Sequence, residues 1–413
     1  MSKLFESNWS KTKEKLLEGN DLSKNFDGTR NNKKKETMNV VLENTKNELQ
    51  RMSGGLLNES ATAGATAAGN VATLNKVILP VIRRVMPTVI ANEIIGVQPM
   101  TGPVGQIHTL RVRYADTSPA GGGAGSVNAG SEALSPFDIA KFYSGNEDPN
   151  NPKAAPTPNL EGKAGNNLSI QVLKQTVDAK SRRLSARWTF EAAQDAQAQQ
   201  GIDVEAEIMA ALAQEITAEI DQEILSSLWN LAGPASVVFD QSGVSGTSTF
   251  VGDEHAALSV LIYMQANLIA SRTRRGAGNW VVVSPTSLTI LQSATTSAFA
   301  RTTEGVFEAP TNTKFAGKLN NSMRVYVDQY ANDSTPVLVG YKGDGEIDAA
   351  AYYCPYVPLT SSGVVIDPQT FEPTVSFLTR YGYVELTNTA SSLGNSADFL
   401  GLVGINTNSL KFL

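Results

Sequence analysis

The chain is poor in the residues that carry redox, metal and acid–base chemistry. Among 413 residues there is one cysteine and there are two histidines. A lone Cys354 excludes an internal disulfide framework and fits a reducing compartment. His108 and His255 have no Cys or acidic cluster beside them at metal-ligand spacing, so both read as structural. The Gly121–Gly125 run lacks the Lys-Ser/Thr ending and strand-to-helix frame of a phosphate loop. Residues Asp344 to Asp348 carry calcium-like acids without the ligand pattern of a calcium loop, and read as a hairpin turn. No nucleophile–base pair stands out. These gaps argue against an enzyme, a metal and a cofactor. No apolar run is long enough to cross a bilayer, and the Lys- and Glu-studded N-terminus lacks a signal peptide's apolar core. With 34 basic and 40 acidic residues, net −6, the chain has no overall basic surplus for binding nucleic acid.

What is present is one long helix, predicted from Ile202 to Leu231. Val204, Ile208, Leu212, Ile216, Ile220, Ile224 and Leu228 recur every four positions, which is helical spacing. Asp203 fits an N-cap and Gly233-Pro234 a stop. A four-residue step overshoots the helical turn of about 3.6 residues, so the stripe winds and needs several partners. Glu205, Glu207, Glu215, Glu219, Asp221 and Glu223 make the polar side one-signed. Glu215, Glu219 and Glu223 form an i, i+4 row of like charges, which wants cations from outside. Lys174, Lys180, Arg182, Arg183 and Arg187 precede it, so the row is either a solvated acidic face or a charge match between elements or subunits.

Around that helix the composition changes several times. Residues 1–59 hold eleven cations and nine anions, net +2, which leaves −8 for the remainder. Large apolar residues are sparse there; short amphipathic helices fit Leu4–Leu17 and Thr37–Met52, without an independent core. Residues 60–74 are nearly all Ala, Thr, Gly and Asn, a flexible, protease-accessible composition. Ile107 to Tyr114 alternates as a strand. The run from Ala115 to Gly165 is rich in Gly, Pro and Asn, and reads as an excursion that returns at Leu168–Val172. Further on, a helix from Glu254 to Arg275 and strands at Trp280–Val283, Met323–Asp328, Pro336–Tyr341, Ala349–Val357 and Glu372–Leu386 interleave irregularly, an α+β class.

Several ordered blocks resemble the major capsid protein of T-even-type tailed bacteriophages. They are Arg83-Arg84-Val85-Met86-Pro87, Gly96-Val97-Gln98-Pro99-Met100-Thr101-Gly102-Pro103, Phe142-Tyr143-Ser144-Gly145 and Glu191-Ala192-Ala193-Gln194-Asp195. Arg324-Val325-Tyr326-Val327-Asp328, Tyr352-Tyr353-Cys354-Pro355-Tyr356-Val357 and Thr379-Arg380-Tyr381-Gly382 follow in order. The resemblance implies a Hong Kong 97-type capsid fold: a propeptide at 1–59, an N-terminal arm and start of the peripheral domain at 60–106, and an extended loop at 107–172. The peripheral domain with its spine helix would span 173–233, the axial domain 234–370, and returning strands and tail 371–413. Larger relatives carry an insertion domain in the extended loop; here only Pro- and Asn-rich linker joins Gly145 to Gly165.

By the same resemblance the chain is expected to build the icosahedral head shell around packaged DNA, without sequence-specific DNA binding and without a membrane. Hexameric capsomers, a capsid vertex protein, an internal scaffold, a prohead protease and decoration proteins are the implied partners. The setting would be the virion capsid, after synthesis in the host bacterial cytoplasm. A pentamer-forming vertex protein of the family is the nearest alternative, and a compartment shell enclosing an enzyme the next. Relatives are trimmed after a Leu/Ile-x-Glu motif. Leu57-Asn58-Glu59, followed by Ser60, fits where the charged leader meets the flexible run; Leu16-Leu17-Glu18 and Leu4-Phe5-Glu6 also fit. The candidate assembly charges are Glu215, Glu219, Glu223, Arg182 and Arg183.

Overall fold

A computed structural model describes residues 32–58, 89–116, 129–130, 157–161, 167–201, 203–243, 251–273, 275–294, 299–301, 314–320, 322–343, 349–362, 364–367, 369–370, 372–385 and 396–410. The expected cleavage residues Glu59 and Ser60, the Gly121–Gly125 run and the Asp344–Asp348 acids lie outside them. So does most of the excursion between Ala115 and Gly165.

Helices α1 (Asn32–Asn58) and α2 (Ala91–Ile94) precede strands β1 (Gly96–Val97) and β2 (Val104–Tyr114). Then come α3 (Thr157–Leu160), β3 (Leu168–Asp178), β4 (Lys180–Arg187), α4 (Phe190–Gln200), α5 (Val204–Ala232) and β5 (Val237–Phe239). They are followed by α6 (Val251–Thr273), β6 (Trp280–Val283), α7 (Pro285–Ser293), β7 (Phe299–Arg301), β8 (Lys314–Leu319) and β9 (Met323–Val327). The chain closes with β10 (Val337–Gly340), β11 (Ala351–Ser361), β12 (Val365–Ile366), β13 (Pro373–Glu385) and β14 (Leu400–Ile405). Helices and mixed sheets make this α+β, as the sequence predicts.

Helix α5 organises the body. The Asp203 carboxylate caps it by accepting from the N–H groups of Glu205 and Ala206, and Gly233 ends it at φ 74°. Its 29 residues give a rod of about 43 Å. Two neighbouring i, i+4 rows are buried: Leu212, Ile216, Ile220, Ile224 and Leu228, and beside them Met209, Ala213, Thr217, Asp221 and Leu225. The second row corrects the expectation that Asp221 belongs to the polar side. A helix buried on both sides of its winding stripe has partners on both, and here each partner is a sheet.

One partner is the seven-stranded sheet, in the order β5-β14-β10-β6-β9-β8-β7. Trp280, Val282, Tyr326, Leu338, Leu400 and Leu402 join the core that α5 enters. The alternate residues Val281, Val283, Val325, Val327, Val337, Val339 and Val403 join a second core with α6 and α7. Covering both faces explains why Trp280-Val281-Val282-Val283 and Val337-Leu338-Val339 read as continuous apolar runs. Gly340 is required there, because a Cβ would sit 2.1 Å from the Trp280 ring. Helix α7 opens with Ser284 as N-cap and Pro285 in its first turn.

The other partner is a five-stranded sheet, β1-β11-β13-β12 with β4 also paired to β13. Sheet pairing cuts across two expected segment boundaries. Strand β11, expected in the axial segment 234–370, pairs with β13 and β1. Strand β14, expected in a C-terminal tail, lies between β10 and β5 inside the seven-stranded sheet. Both follow from hydrogen bonding: a buried strand needs neighbours on both edges, and these are the edges within reach.

Strands β2 and β3 form a separate two-stranded ribbon, in register from Val104↔Asp178 to Tyr114↔Leu168. It starts three residues earlier than the sequence predicts. Its base is fixed on β13, where the Gln175 amide donates to the Glu385 carbonyl (2.7 Å) and Val177 lies over Gly382. A Cβ at Gly382 would come within 2.5 Å of Val177, so glycine admits the ribbon. In the far half, Leu168, Ile170 and Val172 are exposed, Ile170 by 69%.

Candidate functional site

Three charged sites and one apolar surface stand out, and α1 bears on the first. In the leader, Met38, Val41 and Leu42 are buried in the core shared with α5. Helix α1, which spans the amphipathic segment expected at Thr37–Met52, borrows a core rather than building one. The Asn44 amide fastens it, donating to the carbonyls of Met100 (2.7 Å) and Tyr356 (3.1 Å). Leu57 and Asn58 are its last two residues.

Helix α1 also delivers a charge. Glu93 on α2 is buried, 3% exposed. Lys34 of α1 makes a short ion pair with Glu93 Oε1. Arg324 Nη1 lies 3.4 Å from Glu93 Oε2, and the Tyr326 hydroxyl donates to the same oxygen at 3.3 Å. Lys342 Nζ donates to the carbonyl of the adjacent Asn92 (2.7 Å). Burial lowers the Lys342 pKa to about 7; Glu93 attracts its charge, while Lys34, Arg324 and Lys33 oppose it.

The second site has no cation. The Asp221 Oδ1 of α5 accepts from the Ile90 N–H (2.9 Å). Asp328, at the end of β9, accepts from the Gln222 amide (2.8 Å) and the Tyr330 N–H (3.0 Å). The other oxygen of each carboxyl finds no donor among the described residues. Burial, and then the charge of Asp328, push the Asp221 pKa up to about 8, against the Ile90 hydrogen bond. Asp328 is raised by burial too.

The third site brings together three of the five charges singled out in the sequence. Arg182 of β4 donates from Nη1 to Glu219 (2.7 Å), from Nη2 to Glu223 (2.5 Å) and from Nε to the Tyr381 hydroxyl (2.6 Å). The Tyr381 hydroxyl itself makes a short bond to Glu223. Burial raises the Glu223 pKa, but Tyr381 and Arg182 outweigh it and hold the carboxyl below its usual range. Burial opposes the Arg182 charge as well, yet Glu223 and Tyr381 keep its pKa above the ordinary arginine value. Glu215 and Arg183 stand exposed and outside this fork. The fork links elements within one chain.

The apolar surface is the ribbon's outer half. Val112 faces Ile170 and Tyr114 faces Leu168 across it, so these share one face with Val172. Burial pushes the Cys354 thiol up to about 12, which suits an inert core residue. His255 is buried against the Ser293 hydroxyl. Among the described residues no three His, Cys, Asp or Glu side chains could hold a metal ion, and no helix is long and apolar enough to cross a membrane.

Residues 71–405 match the family model of the major capsid protein Gp23. The chain is 30% identical to the major capsid protein of Vibrio phage KVP40, over 83% of each chain. It is 29% identical to that of Enterobacteria phage T4, over 79% of this chain and 78% of the relative. Among solved structures it overlaps the capsid of Myoviridae phage XM1, with a TM-score of 0.43 at 10% identity, covering 84% of this chain and all of that one.

Proposed function

The chain belongs to the family of the major capsid protein Gp23, and from that premise we propose how it builds a shell. It is a structural head protein that assembles with other subunits into a phage capsid, and the virion capsid is where it resides. In the proposal, the β2–β3 ribbon is the clamp between subunits. The observation that carries this is its exposed apolar face of Leu168, Ile170 and Val172. Burying a large aliphatic side chain is worth about 1.5–3 kcal/mol, so covering three of them contributes substantially to each contact. A lone two-stranded ribbon is marginal in water, and a neighbour supplies its missing layer.

The subunits form hexameric capsomers, with the family's vertex protein in the pentamers; its relatives KVP40 and T4 bear the name major capsid protein. Synthesis is in the host bacterial cytoplasm, and assembly proceeds on an internal scaffold. A prohead protease then cuts Leu57-Asn58-Glu59 from Ser60, which severs α1 from the body. The cut removes net +2, leaving a chain at −8 that does not grip DNA phosphates through counterion release.

Replacing Ile170 and Val172 by Asp tests the clamp. Expected are folded subunits with unchanged unfolding behaviour and no closed shells by electron microscopy. Normal shells from the double variant would overturn it. The mass of the chain in mature heads tests the cut, and a chain that still includes residue 1 would overturn that.

A further inference from the structure

We propose that Lys342 is the reserve counter-ion of Glu93, and takes over that carboxylate when α1 withdraws Lys34. The inference rests on the reading that the chain is cut after Glu59.

The geometry states the problem that the cut creates. Glu93 is fully enclosed at its side chain, and so very nearly is Lys34, at 0% and 7% exposure. Lys34 enters from α1, on the far side of Glu59, whereas Glu93, Arg324 and Lys342 stay with the body. Removing one member of a buried ion pair is strongly destabilising, because the other charge stays enclosed. Arg324 is only partly enclosed and approaches Glu93 at the longer distance of 3.4 Å.

Among the described residues of the body, Lys342 is a second cation beside Glu93, held at a backbone carbonyl rather than at a carboxylate. Its Nζ is held at the Asn92 carbonyl, one residue from Glu93. Its backbone is pinned on both sides by Asn279, whose amide donates to the Lys342 carbonyl (2.6 Å) and accepts from its N–H (3.0 Å). With its backbone held, the proposed change of acceptor falls to the Lys342 side chain. The charged groups that act on it are Glu93 on α2, Lys34 and Lys33 on α1, and Arg324 on β9. Two of the three cations leave with α1, and each of them holds Lys342 back from protonation. Departure of α1 thus strips Glu93 of one cation and, by taking Lys34 and Lys33 away, favours the charged form of Lys342. The handover lets the leader stabilise the uncut subunit, while in the cut one Glu93 keeps Lys342 as a second cation beside Arg324.

The uncut chain can be tested directly, since Lys34→Met removes the Glu93 ion-pair partner that the cut would withdraw. Lys34→Met and Lys342→Met are compared singly and together by thermal unfolding. Each single change is expected to be mild, because the other lysine remains. The pair is expected to lower the midpoint by about 5–8 °C beyond the sum of the singles. Glu93→Gln in the double background is expected to restore it, including from a background that fails to fold. A pH profile adds a readout that packing alone does not move. Between about pH 7 and the ordinary lysine range the unfolded chain binds a proton on Lys342 that the folded chain lacks, so stability rises with pH. Lys34→Met is expected to flatten that rise. Additive midpoints, no rescue by Glu93→Gln, or an unchanged pH profile would each overturn the proposal. The mass of the chain from mature heads decides the cut separately: an uncut chain removes the occasion for the handover, whatever the lysines do.

Discussion

Glu93 and Asp221 are both buried carboxylates of the core around α5, and their surroundings are opposite. Glu93 meets Lys34, Arg324 and a tyrosine hydroxyl, with Lys342 close behind. Asp221 meets one backbone N–H and a second carboxylate, Asp328. A cation and a hydrogen bond offset desolvation for a buried charge; a like charge adds to it. Asp221 is therefore a proton holder up to about pH 8, whereas the Glu93 site is built from charges that must match. The first is a neutral joint between α5 and the end of β9, and the second an ionic one that depends on where α1 is.

The sharpest way to break this contrast is Glu93→Ala. It leaves Lys34, Arg324 and Lys342 facing one another around an enclosed gap. Uncompensated buried charge costs about 3–5 kcal/mol, so a loss of that size is expected in urea unfolding at pH 7. A loss under about 1 kcal/mol would mean that the cluster is solvated and the contrast unfounded.

Asp221→Asn is expected to act in the other direction. Its folded pKa is raised from 3.8 to about 8, so between those values the folded chain holds a proton that the unfolded chain has lost. Stability therefore falls as pH rises across that window. Asparagine keeps an oxygen for the Ile90 N–H and does not titrate. The variant should flatten the fall and be more stable than wild type near pH 8, by about 1–3 kcal/mol. Urea titrations at pH 5 and pH 8 check it; equal losses at both pH values would show that Asp221 is ionised throughout.

The two sites also differ in how far they could be read in the sequence. Helix α5 was legible because seven aliphatic residues keep one spacing, and its caps Asp203 and Gly233 are chemically distinctive. Asp221 was not, because its row of Met209, Ala213, Thr217 and Leu225 is mixed in polarity and looks like a flank. The Glu93 site was invisible: its partners Lys34 and Arg324 lie 59 and 231 positions away, and nothing local announces them. The depth of α1 is not legible locally, since Met38, Val41 and Leu42 matter only against a core made elsewhere. Strand β14 reads as part of a tail because Leu-Gly-Leu-Val-Gly-Ile is short and glycine-rich, and only its pairing with β10 and β5 places it. The acidic row was legible as a demand for cations, and Arg182 answers it for Glu219 and Glu223.

That third site is where the smallest effects are expected, and they should be graded. Its side chains are roughly a third to two-fifths exposed, so water screens the pairs. Glu223 accepts from both Arg182 and Tyr381, Glu219 from Arg182 alone, and Glu215 stands outside the fork. Glu223→Gln should cost about 1 kcal/mol, Glu219→Gln about 0.2–0.5, and Glu215→Gln close to nothing. Salt separates this site from the buried ones: raising ionic strength toward 1 M shortens the screening length to about 3 Å. The small loss from Glu219→Gln should then vanish, while the loss from Glu93→Ala persists. If all three glutamines behave alike, the fork is a surface accident. If Glu215→Gln alone impairs shell formation while leaving the subunit stable, the unforked end of the row meets a neighbouring subunit.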